Sequence, residues 1–211
     1  LLYPPQLPRV AVSEVTFSRQ GPDYSAGREN NTGDWRFFKT GTPGARNGVS
    51  AISNAVEDVR FSVPRGFFAQ GFNLHLSTPT PGASIRFTTN GSPPTDSTGF
   101  LYTNAIPISA NAVIRAAAFA SNALPSRVDT HTYLVNQPGV RLRLPALSLV
   151  TATNNLYGRT GIMEVSPRNT TQRGAAWERP VSAEWIQVED NGGFQVDCGL
   201  RLQGGDYVRG Q

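Results

Sequence analysis

Residues 78–95 read Thr-Pro-Thr-Pro-Gly-Ala-Ser-Ile-Arg-Phe-Thr-Thr-Asn-Gly-Ser-Pro-Pro-Thr, and their pattern decides the fold. Ser84-Ile85-Arg86-Phe87-Thr88-Thr89 alternates in polarity with a period of two, as a half-buried strand does. It stops at Asn90-Gly91, a dipeptide suited to a tight hairpin turn, and Pro93-Pro94 cannot carry a strand onward.

The same rhythm extends on both sides. Upstream lie Val59-Arg60-Phe61-Ser62-Val63 and Phe72-Asn73-Leu74-His75-Leu76-Ser77, which both alternate. Downstream lie Ala105-Ile106-Pro107-Ile108, Val113 to Ala120 and Asp129 to Val135. Six short runs separated by Gly, Pro and Asn turns predict an all-β sandwich over about eighty residues, enough for a small core. The aromatics Phe61, Phe72, Phe87, Phe119 and Tyr133 fall on these runs and are expected in that core.

This middle segment also resembles a known family. Residues 78–95, then Leu-Tyr-Thr-Asn-Ala-Ile-Pro-Ile-Ser at 101–109, then the run from Val113 to Val135, are similar in order and spacing to the chitobiase/β-hexosaminidase C-terminal-type module. The resemblance implies an Ig-like sandwich serving as an accessory domain over residues 57–135, with no hydrolase chemistry of its own. Asn90 stands where that family has Asp, and both residues tolerate positive φ.

Residues 1–48 begin with strand-like Val10-Ala11-Val12 and Val15-Thr16-Phe17, and the stretch from Gly21 to Asp34 reads as loop. Gly33 to Gly48, Gly-Asp-Trp-Arg-Phe-Phe-Lys-Thr-Gly-Thr-Pro-Gly-Ala-Arg-Asn-Gly, resembles the closing segment of lamin-tail-like domains. Residues 49–56 read as a polar linker, and 136–141, with Pro138-Gly139, as a second one.

Beyond it, Leu144 to Thr151 is a continuous apolar run and is expected to be a strand buried on both faces. Asn154 to Gly158 reads as a turn or short helix. Val181 to Val188 and Phe194 to Leu202 flank an Asp190-Asn191-Gly192-Gly193 turn and predict an antiparallel pair. Phe194, Val196, Cys198, Leu200 and Leu202 share one face, so the single cysteine is expected to be a buried thiol. A final hairpin with an uncovered apolar face implies a truncated domain. Residues 144–163, 174–186 and 193–205 are similar to the opening of the spore-coat-H-type (CotH) kinase-like domain, assigned to residues 142–211.

That resemblance implies an ATP- and Mg-dependent phosphotransfer domain in the complete protein, with no cofactor and no complete active site within this chain. Kinase chemistry needs groups that neutralise phosphate and carboxylates that hold metal. Arg201, Gly204 and Gly205 are the candidate nucleotide phosphate contacts: the arginine alternates onto the polar face, and the glycines let backbone N–H groups approach an anion. Asp206 stands where the family has Ser and sets a negative charge beside them, which Arg209 would offset. Glu178, Glu184 and Asp197 are the remaining acids with defined contexts, and Glu178 is expected to pair with Arg179.

A structural or adhesive cell-surface protein with an inactive kinase-like domain is one alternative, and sugar binding by an accessory region of an exported enzyme is the other. Sugar binding needs exposed aromatics, and Phe67 and Phe68, in a turn-like segment, are the candidate ligand-facing pair. Polysaccharide at a cell surface and protein substrates are thus the partners in view. Nucleic acid is not among them, because the basic excess is dispersed: six basic against four acidic side chains in residues 1–48, five against four in 49–136, eight against seven in 137–211. No apolar run is long enough to span a membrane. His75 and His131 are expected to face solvent, and two histidines with one cysteine make no catalytic triad. The three resemblances together imply an extracytoplasmic, secreted or cell-surface setting, with no signal peptide in the sequence.

Overall fold

The computed structural model describes residues 14, 21, 24–30, 32–50, 52–137, 144–166, 168–188 and 193–203. Among them the fold is all-β, with helix limited to α1 (Thr153–Leu156) and the 3-10 turns Asn169–Thr171 and Ala175–Trp177. Val10 to Val12 and Val15 to Phe17 lie outside the described residues. The chain forms two compact units.

The first unit comprises the described residues up to Ala55 together with Asn122–Leu124. Its centre is an antiparallel hairpin of β1 (Ser25–Arg28), within the stretch from Gly21 to Asp34 read as loop, and β2 (Trp35–Phe38), in the segment that follows it. Small and charged residues hid β1, and side-chain hydrogen bonds add to the burial of Phe37 and Phe38 in holding the hairpin. Buried Glu29 at its tip accepts from Thr32 Oγ1 at 3.0 Å and from the Ser50 N–H at 2.9 Å. Asn47 donates to the Arg28 carbonyl at 2.7 Å and accepts from Thr42 Oγ1 at 2.7 Å, which pins the Gly/Pro-rich exit against β1. Residues 49–56, read as a linker, carry structure: Phe37 bridges Ile52, and β3 (Asn54–Ala55) pairs in parallel with β12 (Ala123–Leu124).

The second unit holds Val56–Ser121 and the described residues from Pro125 onward. Its spine is a five-stranded sheet in the order β5 (Gly66–Phe68), β13 (Asp129–Val135), β11 (Ala112–Phe119), β8 (Ser84–Thr88), β9 (Phe100–Leu101). β8 ends at the expected Asn90-Gly91 turn, with the positive φ of 79° at Gly91; the Asn90 side chain instead accepts the Ser92 N–H at 3.1 Å.

The spine has a layer on each side. Register places Tyr133, Ala112 and Gly66 in one row and His131 with Ile114 in the next, so these share a face. Over it lie β4 (Arg60–Phe61) paired with β7 (Leu76–Ser77), and β6 (Phe72–Leu74) paired with β10 (Ile106–Ile108). Phe72 meets Tyr133 edge-on at 5.3 Å, and Phe61 stacks on His131 at 3.9 Å. Leu74, Leu76, Ile85, Ile108 and Ile114 are buried. This is the predicted sandwich. His131 is therefore not solvent-facing: its side chain is 12% exposed, whereas His75 is exposed as expected. Tyr133 is fully buried and donates its hydroxyl to the Val63 carbonyl at 3.0 Å. Tyr133→Phe keeps the ring and orphans that carbonyl, so chemical denaturation should show a loss of about 1 kcal/mol with an unchanged slope.

The third layer is the antiparallel sheet β14 (Ala146–Val150), β15 (Arg179–Ile186), β16 (Gly193–Leu200). β15 and β16 pair in register as the sequence suggested, for example Ala183 with Val196 and Val181 with Cys198. The faces are reversed from expectation. Polar Ser148, Glu184, Ser182 and Asp197 share the face turned to the spine, while Leu147, Trp185, Phe194, Leu149 and Val196 share the other. Leu147 and Phe194 are 59% and 58% exposed, so β14 is an edge strand open on one face, not a strand buried on both. Cys198, on that open face, is exposed and not a core thiol.

Candidate functional site

The spine's second face carries Arg115, Thr130 and Thr132, and the register of β11 with β13 sets Arg115 beside Thr130. An arginine inside the run Ala-Val-Ile-Arg-Ala-Ala-Ala-Phe needs polar partners if it is buried, and Arg115 is 7% exposed. Its Nε donates to Thr130 Oγ1 at 3.2 Å and its Nη1 to the Gly91 carbonyl at 2.9 Å, while Asp197 of β16 lies 3.9 Å away. Burial pushes its pKa below the ordinary value, partly offset by the charges of Asp197 and Glu184.

Glu184 of β15 is the centre of this junction. It is fully buried. Its carboxylate accepts from Arg65 Nε at 2.9 Å, from the Thr132 N–H at 3.1 Å, and from the Thr132 hydroxyl through a short bond. The Thr132 oxygen also meets Ser148 Oγ of β14 at 2.7 Å. Arg65 extends the network to the Thr130 carbonyl at 3.1 Å and to Asp129 at 3.4 Å, and Asp129 faces His131 Nε2 at 3.6 Å. Glu184 thus ties β15 to β13 and to Arg65 just before β5, and Thr132 carries the network on to β14.

Burial raises the Glu184 pKa above its ordinary value, against the Thr132 hydrogen bonds and the Arg65 charge. Burial would also raise Asp129, but the hydrogen bond and charge of His131, with Arg65 and the Thr130 N–H, outweigh it and hold Asp129 low. Burial pushes the Tyr133 phenol up. Neighbouring Asp58, Arg127, Asp129, Gln195 and Asp197 line a polar cleft of about 400 Å³ at the margin of this junction. Sequence reading named Glu184 and Asp197 only as acids with a context; Arg115 within an apolar run was the signal that an acid had to lie opposite.

The other sequence candidates lie elsewhere. Arg201 follows β16, and its side chain is 54% exposed and pairs with Glu178 at 3.2 Å. Glu178 therefore spends its carboxylate on Arg201; Arg179 donates to the Thr160, Ala176 and Glu178 carbonyls instead and stacks its guanidinium on Trp177 at 5.1 Å. Gly204, Gly205, Asp206 and Arg209 lie outside the described residues. Phe67 and Phe68 sit on β5, not in a turn. Phe68 packs on Phe72 at 4.6 Å and near Tyr133 at 5.8 Å, and Phe67 is half-buried. Among the described residues no group of three His, Cys, Asp or Glu side chains is placed to hold a metal ion, and no helix is long and apolar enough to cross a membrane.

Residues 63–130 match the family model for the chitobiase/beta-hexosaminidase C-terminal domain, about a third of the chain. The match supports the accessory module placed there by resemblance and covers β5 to the start of β13. No curated protein matches the chain, and no solved structure does.

Proposed function

We propose that an accessory β module of the chitobiase/hexosaminidase C-terminal type here spaces and presents a CotH-like, ATP-dependent phosphotransfer domain outside the cytoplasm, after the end of a lamin-tail-like domain. The observation that carries this reading is the Glu184 junction: the matched module and the sheet β14–β16 share one compact unit, joined by the Arg65–Glu184–Thr132 bonds. A module that only tethers has no use for a fully buried carboxylate shared with the next sheet. A module that holds a neighbouring domain in a fixed orientation does.

The open apolar face of Leu147, Leu149, Phe194 and Val196 supports the same reading, because a sheet of this kind is completed by packing against more of its own domain. Within the described residues, Arg201 is the group proposed to meet a nucleotide phosphate, through the exposed guanidinium now held by Glu178. Gly204 and Gly205, the other candidate phosphate contacts, lie outside the described residues. ATP with Mg would supply the transferable phosphoryl group; this chain's part is to orient and neutralise it.

The test is phosphotransfer by the full-length protein carrying this chain, with Mg and ATP labelled in the γ-phosphate. Label incorporation that falls at least tenfold in Arg201→Ala, at unchanged melting temperature, is the expected outcome. A full-length protein that neither binds ATP nor labels any protein contradicts the phosphotransfer reading and leaves a surface scaffold. Retention on insoluble chitin or cellulose would point instead to a polysaccharide-binding accessory of an exported enzyme.

A further inference from the structure

Two Asn-Gly dipeptides fall among the described residues, Asn47-Gly48 and Asn90-Gly91, and the fold treats their side chains differently. At Asn47 both ends of the carboxamide are tied elsewhere in the chain: Nδ2 donates to the Arg28 carbonyl at 2.7 Å, and Oδ1 accepts from Thr42 Oγ1 at 2.7 Å. Asn90 is exposed, and its carboxamide folds back over its own turn, with Oδ1 accepting the Ser92 N–H at 3.1 Å. Among the described residues, Asn90 Nδ2 and the Gly91 N–H have no hydrogen-bond partner.

That arrangement suits one reaction. In an Asn-Gly link the nitrogen of the glycine can attack the carboxamide carbon Cγ and close a five-membered ring. The bond from Ser92 holds the Asn90 carboxamide beside the peptide that must attack it, and Gly91 has no side chain to shield its nitrogen. Negative charge builds on Oδ1 as Cγ becomes tetrahedral, and the Ser92 N–H is already aimed at that oxygen. The same peptide group is polarised from its other end, because the Gly91 carbonyl accepts from buried Arg115 Nη1 at 2.9 Å. Guanidinium, peptide and carboxamide oxygen thus form one chain of hydrogen bonds.

We propose that Asn90-Gly91 is a self-modification site of the folded protein, whose conversion to an isoaspartyl link releases the Gly91 carbonyl from Arg115. The Gly91 nitrogen gives its proton to water or hydroxide and bonds to Asn90 Cγ; the Cγ–Nδ2 bond breaks, and ammonia leaves with a proton taken from water. Water then opens the succinimide. Cleavage between the nitrogen and Cγ leaves an ordinary aspartate at position 90. Cleavage between the nitrogen and the main-chain carbonyl carbon leaves the chain running through Cβ and Cγ, one carbon longer. The turn has no slack for it, since a single Cβ on Gly91 would already collide with the Thr151 carbonyl oxygen. None of this depends on phosphotransfer.

The test is incubation of the whole chain in mildly alkaline buffer, well below its melting temperature, with both dipeptides followed by peptide mass spectrometry that resolves isoaspartate from aspartate. In the folded chain Asn90 should convert at least about tenfold faster than Asn47, whose two bonds must first break. In concentrated urea the two rates should agree within about threefold, because only the shared dipeptide remains. Asn90→Gln should abolish conversion at position 90, since its ring would need six members. The isoaspartyl fraction, separated by cation exchange, should melt about 2–4 °C below the untreated chain, whereas Asn90→Asp, with the new charge at the native chain length, should melt within about 1 °C of it. Conversion at Asn47 as fast as at Asn90 in the folded chain, or conversion at Asn90 only in urea, would overturn the site. An isoaspartyl fraction that melts with Asn90→Asp would overturn the release of Arg115.

Discussion

Arg65→Ala should destabilise the second unit by about 3–5 kcal/mol, because it leaves the Glu184 carboxylate buried without its cation. Glu184 is fully buried and Arg65 Nε is its only bonded guanidinium among the described residues, at 2.9 Å. A double-mutant cycle separates this from lost packing. Glu184→Gln keeps the shape and can still accept from Thr132, so Arg65→Ala in that background should cost only about 1 kcal/mol. The difference measures the charge coupling.

The pH dependence carries a definite sign. The folded pKa of Glu184 is raised above its ordinary value of 4.5. Its protonated form therefore favours folding: that contribution is full below pH 4.5 and is lost as pH rises through the raised folded value. Asp129 acts oppositely. Its folded pKa lies below 3.8, so its contribution is present above that value and is lost as pH falls through the depressed one. Above pH 4.5, stability should decline with rising pH across the Glu184 window, and Glu184→Gln should flatten that slope. The Arg65→Ala deficit should shrink on acidification, since a protonated Glu184 no longer needs a cation. A pH-independent deficit would mean that Arg65 contributes packing and not charge.

Gly91→Ala should cost about 2–4 kcal/mol, from two causes that a control can divide. The residue has φ 79°, which strains any side chain, and a Cβ there would lie 2.2 Å from the Thr151 carbonyl oxygen at the end of β14. The obstacle is backbone, so it cannot rotate away. The Gly91 carbonyl also accepts from Arg115, so a shifted turn would loosen a second junction contact. Gly82 is the control. Its φ is 72° and nothing lies within 4 Å of its Cβ position, so Gly82→Ala carries the strain without the clash. The excess loss at Gly91, read as a difference in melting temperature, is the cost of pushing the turn off β14.

Strand positions were largely legible in the sequence, because period-two alternation and Asn-Gly or Gly-Gly turns are local signals. β8, β13, β15 and the pairing of β15 with β16 follow from them. Alternation says which residues share a face; it does not say which face is covered. Leu147, Leu149, Val196 and Cys198 were expected inside, and the sheet turns its polar face inward instead. The reason is complementarity at long range. Arg115 and Thr132 on the spine need acceptors and donors, and Glu184, Ser148 and Asp197 provide them from sixteen or more positions away in the chain. β1 was missed for a related reason: Asn47, Glu29 and Ser50 hold it by bonds to backbone and neighbouring side chains, and such bonds leave no hydrophobic pattern. Arg201 was legible as an exposed basic residue, but its bond to Glu178 depends on how a helix-poor stretch folds back.

The central claim is that the accessory module and the sheet β14–β16 open as one cooperative unit. Native-state hydrogen exchange of the whole chain tests it directly, by comparing amides of Ala112–Phe119 with those of Arg179–Ile186. Exchange of the slowest amides in both strands at one common opening free energy, lowered together by Arg65→Ala, is the predicted result. Exchange in β15 at least roughly a hundredfold faster, with β11 still protected, would show that the sheet opens alone and would contradict the account.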